Sequence, residues 1–527
     1  MRASALPTAA AGYGLALAAG IVSLWVSGAW NAGFSGADEP AHFLNAWFVS
    51  LYGREALGRN PLAYASAFYL HYPKLSIGHW PPAYYALISP VFWVLPPTPQ
   101  SALAVNLLVC ALPGAGIAWL LHRLAGPKAA LAGAALWALA PTSLEGFDFF
   151  MLDQPLAACA FAATLAWAAF QSRRKWHQIV LFSLLGALAV LIKGNGWLLL
   201  FVPPLHIALT GDWRLLRDWR LWGAAALAAA IVGPWYAATA GISADGFNYR
   251  PGPAYAAEAL VFDLGALAMV LGLALPLAGY GAFAEWRRRK ADAERWSAVA
   301  ACLALVLATL VLQSLVPVDL DARYMVPAIP PLAVLALLGA VAALERLPKP
   351  AVAAAALLLV PGLLHLAWRA PKVDLRLEEA ARGAEGAWLI DGGSGPEGAF
   401  TAAMAVRDSG LRHYAVRGSK LLADSDFMGR RYRLRFTTPQ AVLGELRRLG
   451  IDGIVLSRAA GAPILPHTDL LRAGLTSPGS GYRLATVYPY RNRPGTTEVY
   501  RSERPVTANA AAIEALGLPS KLAEAER

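Results

Sequence analysis

The sequence predicts a polytopic α-helical membrane protein with a C-terminal extracytoplasmic α/β domain. Three observations lead to this prediction. The 527 residues are 57% hydrophobic and only 15% charged, far from the composition of an ordinary soluble domain. Several apolar runs reach or approach the roughly 20 residues that a helix needs to cross a bilayer. After residue 369 these runs give way to polar residues, glycines and short alternating apolar segments.

The apolar runs predict about eleven transmembrane helices, because only helices satisfy their own backbone in lipid. The runs lie near residues 8–30, 100–121, 128–142, 154–171, 178–192, 195–210, 221–240, 258–283, 297–315, 324–343 and 351–368. A further run at 82–95 is short and edged by prolines. We interpret it as an interfacial or re-entrant helix, since counting it as a crossing would move the later basic loops to the outer face.

The basic residues predict the orientation of these helices. A cytoplasmic amino terminus places every strongly basic loop, such as 173–175 and 287–290, on one side of the membrane. The net charge of +11 then belongs to cytoplasmic loops and does not indicate a nucleic-acid partner. The carboxyl terminus and a long loop at 31–99 fall on the extracytoplasmic side. This arrangement is typical of a bacterial-type inner membrane protein.

The predicted domains are a membrane domain at 1–369, an extracytoplasmic α/β domain at 370–505 and an alanine-rich tail at 506–527. Within the α/β domain we expect strands at 387–390, 413–416, 451–456, 483–488 and 498–500, and helices at 397–407 and 439–449. Residues 393–398 fit the pattern G-x-G-x-x-G. A tight glycine turn is the favoured interpretation of that pattern, and a site for an acceptor or carrier phosphate is the alternative.

The acidic pair Asp38-Glu39 directly follows the first apolar run. Carboxylates beside a membrane are costly, so the pair indicates chemistry on a molecule that arrives through the lipid. A general base needs a carboxylate near an attacking hydroxyl, and a phosphate leaving group needs fixed cations around it. The other predicted outer-face residues supply both kinds of group. They include His79, Asp153, Lys193 and Arg323.

An ordered series of motifs extends this pattern across residues 1 to about 345. After Asp38-Glu39 come the segment 79–85 (HWPPAYY), 151–156 (MLDQPL), 192–194 (IKG) followed by 202–204 (VPP), and Arg323-Tyr324. The series resembles the GT-C membrane glycosyltransferases of the protein O-mannosyltransferase and aminoarabinose lipid A transferase type. The chain departs from the aminoarabinose transferases at Trp80, where those proteins have a lysine before the proline. The identity of the sugar therefore stays open.

The resemblance implies an inverting glycosyltransferase that moves one sugar from a polyprenyl-phosphate donor to an acceptor hydroxyl on the extracytoplasmic side. Asp38 would be the catalytic base, with Glu39 beside it. Asp153 would be the second acid, which shapes the acceptor side or holds a neighbouring cation. Lys193 and Arg323 would contact the donor phosphate or sugar, and His79 would act as a phosphate contact or metal ligand. A divalent metal is a possible cofactor, and the acceptor is a lipid, a glycan or a protein.

Each candidate residue also has a structural interpretation. Asp38 and Asp153 stand at predicted helix starts, where an aspartate commonly caps the helix. Lys193 at a helix end is able to extend to the lipid headgroups, and Arg323 has Asp319 and Asp321 as nearby counter-charges. The competing functions are a transporter or flippase for a lipid-linked sugar and a non-catalytic membrane sensor or scaffold. The one-sided clustering of acids and the absence of an internal repeat argue against a transporter.

Overall fold

The chain forms two compact units, each built from separate parts of the sequence. The computed structural model describes residues 5–244, 247–425 and 431–516. The first unit consists of Met1–Ser27, Trp80–Tyr84 and Ala104–Ala370, and the second of Gly28–His79, Tyr85–Leu103 and Pro371–Arg527. Most of the predicted outer loop thus folds with the C-terminal region, a combination that the sequence did not predict.

The α-helices follow one another along the chain, separated mostly by short connections. They are α1 (Leu6–Val26), α2 (Glu39–Glu55), α3 (Pro61–His71), α4 (Ala83–Ile88), α5 (Pro99–Cys110), α6 (Leu112–Ala125), α7 (Pro127–Ala138), α8 (Pro141–Asp148), α9 (Asp153–Arg173), α10 (Trp176–Ile192), α11 (Val202–Thr210), α12 (Trp219–Ala244), α13 (Pro253–Leu271), α14 (Ala274–Arg288), α15 (Ala293–Leu315), α16 (Ile329–Ala343), α17 (Pro350–Trp368), α18 (Leu377–Ala380), α19 (Ser394–Ala405), α20 (Gly418–Leu421), α21 (Pro439–Leu449), α22 (Pro466–Leu475) and α23 (Ala510–Glu514). Short 3₁₀ helices cover Ser89–Trp93, Gly194–Leu200, Trp213–Arg217 and Ala322–Ala328.

Among the described residues, eight helical segments are long and apolar enough to cross a membrane. They are Leu6–Val26, Pro99–Ala125, Asp153–Arg173, Trp219–Thr239, Pro253–Leu271, Ala293–Leu315, Ala322–Ala343 and Pro350–Trp368, and Trp176–Ile192 is a shorter apolar helix. The prediction of a polytopic helical membrane protein with a C-terminal sheet-containing domain is confirmed. The number of eleven crossings stays a prediction.

Several predicted crossings, including the two that follow, are divided into shorter helices in the structure. The run at 258–283 is divided into α13 and α14 because Gly272 ends α13 with a positive φ of 50°. The run at 195–210 forms a 3₁₀ helix, Gly194–Leu200, followed by the nine-residue α11. The proline-edged run at 82–95 forms α4 and a 3₁₀ helix of six and five residues, which agrees with its exclusion from the crossings.

The second unit contains a five-stranded mixed sheet with the order β2-β1-β5-β7-β6. Its strands are β1 (Ala387–Asp391), β2 (Tyr414–Arg417), β5 (Ile451–Ala459), β6 (Tyr482–Pro489) and β7 (Gly495–Ser502), while β3 (Ala423–Asp424) and β4 (Arg433–Leu434) form a separate pair. Strand β1 is parallel to both β2 and β5, and β5, β7 and β6 are antiparallel neighbours. The carboxyl ends of the three parallel strands therefore share one edge.

Sequence patterns predicted most of this domain correctly. All five predicted strands overlap the observed ones, and the predicted helix 439–449 has the observed bounds of α21. Thr438 caps α21 through its side chain, and Gly450 ends it with a positive φ of 68°. The predicted tail contains the short helix α23, while its residues 517–527 lie outside the described ones.

Within the second unit, helices α2 and α3 pack against the sheet domain. The indole nitrogen of Trp47 donates to the carbonyl of Ala405 at 3.4 Å, and the Tyr72 hydroxyl donates to Asp408 at 2.6 Å. All four residues are buried. These contacts fix the helix that begins beside Asp38 to the same unit as the sheet.

Candidate functional site

Asp38 stands at the start of α2, but its side chain does not cap the helix. The backbone carbonyl of Asp38 accepts the first helical hydrogen bond from His42 at 3.0 Å. Its carboxylate accepts no capping hydrogen bond, and its backbone is helical rather than extended. Pro40 follows within the first turn, where its fixed φ suits a helix start. Asp38 therefore occupies the N-cap position of α2, as the capping interpretation requires, but its carboxylate does not cap the helix.

Glu39 is completely buried and paired with a lysine 333 positions later in the chain. Its carboxylate accepts a hydrogen bond from the Lys372 ammonium at 2.7 Å, and the two side chains are 0% and 2% exposed. The same carboxylate accepts a hydrogen bond from the backbone nitrogen of Ser35 at 3.1 Å. A buried charge is tolerated when it is paired and hydrogen-bonded in this way. The ion pair and the backbone hydrogen bond fix the side chain of Glu39 directly after Asp38.

Lys74 is a buried cation in the electrostatic field of Asp38. Its ammonium donates to the Ser394 hydroxyl at 2.8 Å, and the residue is 9% exposed. Burial, and next the nearby Arg417 guanidinium, lower the pKa of Lys74 to about 7, while the carboxylates of Asp38 and Glu397 oppose the shift. Lys74 is therefore a further charged group of the Asp38 neighbourhood.

The glycine pattern at 393–398 forms the turn between β1 and α19. Gly393 precedes the helix with a positive φ of 85°, which side chains rarely adopt. At Gly398 a Cβ atom would lie 2.7 Å from Pro40 and 2.8 Å from Lys74. The glycines thus permit a tight turn and close packing against the start of α2, which agrees with the favoured interpretation of the pattern.

Asp153 and Lys193 form a buried ion pair in the first unit. The Lys193 ammonium donates to the Asp153 carboxylate at 2.6 Å, with side-chain exposures of 10% and 7%. The ammonium also lies 4.8 Å from the centre of the Tyr324 ring, within the range of a cation–π contact. Lys193 is thus held inward by two partners instead of extending to the lipid headgroups. The geometry agrees with the expectation that Asp153 holds a neighbouring cation.

Arg323 forms an ion pair with Asp321, one of the two counter-charges that the structural interpretation named. Its guanidinium lies 2.9 Å from the Asp321 carboxylate, and the two side chains are 32% and 40% exposed. Asp321 also accepts a hydrogen bond from the backbone nitrogen of Arg323 at 3.0 Å. Both side chains of this pair are partly exposed to solvent.

Two further carboxylates of the first unit, Glu145 and Asp148, interact with the guanidiniums of Arg323 and Arg369. Burial, and next the charge of Asp321, raise the pKa of Glu145, and the guanidiniums of Arg369 and Arg323 oppose the shift. Asp148 pairs with Arg369 and accepts a hydrogen bond from Ser23 at 2.9 Å. Fixed charges of both signs are therefore concentrated in this part of the unit.

The predicted site residues are distributed between the two units. Asp38, Glu39 and His79 belong to the second unit, and Asp153, Lys193 and Arg323 to the first. His79 is half-buried in a turn, where its backbone nitrogen donates to Ser76 at 3.2 Å. Within residues 5–244, 247–425 and 431–516, no group of three His, Cys, Asp or Glu side chains is arranged to hold a metal ion.

Sequence reasoning missed Lys372 and Arg369 as ion-pair partners of acidic residues, and Lys74 as a buried cation in the electrostatic field of Asp38. Lys372 lies 333 positions from Glu39, and no local pattern connects them. A weak signal existed for Lys372 and Arg369, since both follow the last membrane helix at a position where the positive-inside rule disfavours cations on the outer face. Cations retained against that tendency are candidates for pairing with carboxylates.

Comparisons with known proteins agree with this architecture. Residues 79–237 match the family model described as dolichyl-phosphate-mannose-protein mannosyltransferase. ArnT from Cupriavidus metallidurans bound to undecaprenyl phosphate is 16% identical, with a TM-score of 0.59, over 93% of this chain and 97% of that chain. Its apo form gives 15% identity and a TM-score of 0.58 over 95% and 97% of the two chains.

A more distant structural match is the archaeal oligosaccharyltransferase AglB from Archaeoglobus fulgidus, solved with an inhibitory peptide and a dolichol-phosphate. It is 13% identical, with a TM-score of 0.50, over 85% of this chain and 69% of that chain. No curated protein sequence matches the chain. The resemblance to GT-C membrane glycosyltransferases is nevertheless confirmed, by the mannosyltransferase match at residues 79–237 and by a fold shared with ArnT along almost the whole chain.

Proposed function

We propose that this chain is a membrane glycosyltransferase that moves a single sugar from a polyprenyl-phosphate carrier to an acceptor hydroxyl. The observation that carries the proposal is the mannosyltransferase match, because residues 79–237 include His79, Asp153 and Lys193 of the predicted site. The near full-length agreement with ArnT bound to undecaprenyl phosphate supports a carrier of the same chemical class. The proposed location is a bacterial-type inner membrane, with the amino terminus cytoplasmic and the reaction on the extracytoplasmic side.

The proposed reaction is a single displacement with inversion at the anomeric carbon. An acceptor hydroxyl attacks that carbon and gives its proton to the Asp38 carboxylate. The bond between the anomeric carbon and the phosphate oxygen breaks, and the electron pair leaves with the polyprenyl phosphate. Asp38 suits the role of base because the residue is partly exposed and its side chain is not used to cap α2. Its neighbour Glu39 holds the start of α2 through Lys372.

The proposed contacts of the donor phosphate are Lys193, Arg323 and His79. Lys193 is held in place by Asp153, which limits the rotamer freedom that a long side chain would lose on binding. Fixed cations matter because negative charge develops on the departing phosphate in the transition state. Asp153 would therefore act through Lys193 instead of touching the reacting atoms.

The deciding experiment is a transfer assay with purified full-length protein in lipid. Radiolabelled polyprenyl-phosphate sugars are incubated with candidate lipid, glycan and protein acceptors, and labelled acceptor is counted. Asp38→Asn should lower the rate by at least about 100-fold, the usual size of a general-base contribution. The control is Glu55→Gln, an exposed carboxylate at the other end of α2, which should retain wild-type activity. Equal rates for Asp38→Asn and wild type would exclude Asp38 as base, and donor movement between leaflets without labelled acceptor would exclude the transferase.

A further inference from the structure

The second unit contains a cavity of about 250 Å³ that the proposed reaction does not use. This volume equals the share of roughly eight liquid water molecules and lies below the usual range of drug-sized pockets. The walls come from residues 31–34 and 97–99, from the segment 374–382 that includes α18, and from one face of α19. Alanines on that face, at positions 399, 402 and 403, leave the space open. The cavity thus has room for a small molecule.

One wall of the cavity is aromatic. Phe34 and Phe43 both line it, and their ring centroids are 4.8 Å apart. The two residues are 6% and 1% exposed, so their rings are fixed in place by the surrounding structure. The rings therefore hold this side of the cavity rigid but present only a small apolar surface to a ligand.

The polar wall carries three carboxylates, and one of them has no hydrogen-bond donor among the described residues. Asp374 accepts a hydrogen bond from the backbone of Arg376 at 2.9 Å, and Glu379 accepts one from the Arg376 side chain at 2.7 Å. Glu378 lines the same cavity, and within the described part of the chain only burial and longer-range charges act on its carboxylate. A half-buried carboxylate without a hydrogen-bond donor is stabilised more by a ligand's donor than a carboxylate that is already hydrogen-bonded.

Guanidinium groups complete the cavity. Arg382 and Arg407 line it from exposed positions, and their charges act on Glu378. Arg491 is the third arginine in the lining. The cavity therefore offers carboxylates, which accept hydrogen bonds, and guanidiniums, which donate them.

We propose that this cavity binds a neutral polyhydroxylated group of the size of one sugar residue. A hydroxyl both donates and accepts, so a polyol matches the alternation of carboxylates and guanidiniums, while its carbon-bound hydrogens suit the apolar part of the lining. A phosphorylated ligand would meet three carboxylates, and an ammonium ligand would meet three guanidiniums. The site is independent of the proposed sugar transfer. Its occupant is a free monosaccharide or the terminal residue of a longer glycan.

The test is saturation-transfer NMR on the full-length protein in lipid nanodiscs. The neutral probes are the methyl glycosides of glucose, mannose and galactose, and mannotriose tests for the terminal residue of a glycan. Cyclohexanol is the apolar ring control, and glucosamine and glucose 6-phosphate are the charged controls. The variants are Glu378→Gln and Arg407→Gln, and the matched control is Glu385→Gln, an exposed carboxylate outside the cavity lining.

At least one neutral glycoside should receive saturation from the wild type and from Glu385→Gln. Its affinity should fall about tenfold or more in Glu378→Gln and in Arg407→Gln, because each change removes a charged hydrogen-bonding group. Saturation of only the terminal residue of mannotriose would assign the site to a glycan. The proposal is overturned if no neutral probe binds, if binding survives both substitutions, or if only the charged probes bind. Arg407 is exposed, so its variant decides the question if Glu378→Gln does not fold.

Discussion

Glu39 and Lys372 form a 2.7 Å ion pair between side chains that are almost completely excluded from solvent. The pair connects the residue that follows Asp38 to the segment that follows the last membrane helix. A buried pair of this kind adds little net stability compared with apolar residues, but it makes the fold depend on both partners. It therefore ties the backbone at Asp38 to the correct docking of the C-terminal segment within the same unit.

The first prediction concerns the loss of one partner. Lys372→Met should lower the free energy of unfolding by about 3–5 kcal/mol, because it leaves the Glu39 carboxylate buried without a counter-charge. Glu39→Gln combined with Lys372→Met should cost less than the sum of the two single changes. Denaturant unfolding followed by tryptophan fluorescence measures these differences. As a control, Arg54→Met removes an exposed pair with Glu55 and should change stability by less than about 1 kcal/mol. Additive effects of the Glu39 and Lys372 changes would contradict the coupling.

The second prediction separates donor binding from structural pairing with Asp153 at Lys193, and it rests on the proposed transfer. Lys193→Met should raise KM for the polyprenyl-phosphate sugar about tenfold or more, since a charged contact to phosphate is lost. Lys175→Met is the control, because it removes a lysine at the other end of α10, outside the proposed site. An unchanged KM in Lys193→Met, with normal folding, would leave Lys193 only its structural pairing with Asp153.

The third prediction concerns pH and Lys74. Burial lowers the pKa of the folded residue to about 7, from an ordinary value of 10.5. Below pH 7 the ammonium is charged in both folded and unfolded chains, and its full burial cost is present. Between pH 7 and 10.5 the unfolded chain binds a proton that the folded chain has released. The contribution of Lys74 to the free energy of unfolding should therefore rise with pH, by up to about 1.4 kcal/mol per pH unit.

Thermal unfolding of wild type and Lys74→Met between about pH 6 and 9.5 measures this contribution, because all other titrating groups are common to both proteins. The stability of wild type relative to Lys74→Met should increase across this interval. Parallel pH profiles for the two proteins would show that the Lys74 ammonium keeps an ordinary pKa in the folded state.

The fourth prediction compares two helical glycines. Gly398→Ala should destabilise the protein by about 1–3 kcal/mol, because the new Cβ atom overlaps Pro40 and Lys74. Gly444→Ala in α21 meets no atom within 4 Å and should stabilise it by about 0.5–1 kcal/mol. Melting temperatures of the two variants give the comparison. A stabilised Gly398→Ala protein would mean that α2 and α19 pack less closely than described.

Local sequence signals correctly predicted the helices and strands whose formation depends on residues close together in the chain. Helix α21 has a side-chain cap at Thr438, a left-handed glycine at Gly450 and apolar residues at helical spacing. Strand β1 is buried at all five positions, and its first four residues, 387–390, are apolar. Long apolar runs likewise predicted the membrane helices, because lipid leaves the backbone no alternative structure.

The remaining features depend on contacts between distant parts of the chain. Residue types and order indicated Asp38, Asp153 and Lys193, but not that Lys372 pairs with Glu39 or that Lys74 reaches Ser394 across 320 positions. The break at Gly272 was also missed, since the residues around it are uniformly apolar. Hydrophobicity alone does not distinguish one continuous helix from two helices separated by a positive φ.

The discontinuity of the second unit has a consequence during synthesis. Glu39 leaves the ribosome 333 residues before Lys372. At 5–20 residues per second this interval is roughly 15–70 s, during which the carboxylate lacks the Lys372 ammonium that neutralises it in the core. The segment that carries Asp38 therefore reaches its final structure only after the membrane helices have been made. A prematurely terminated chain would insert in the membrane yet lack an organised acidic pair, so maturation of the proposed catalytic carboxylate is coupled to completion of the polypeptide.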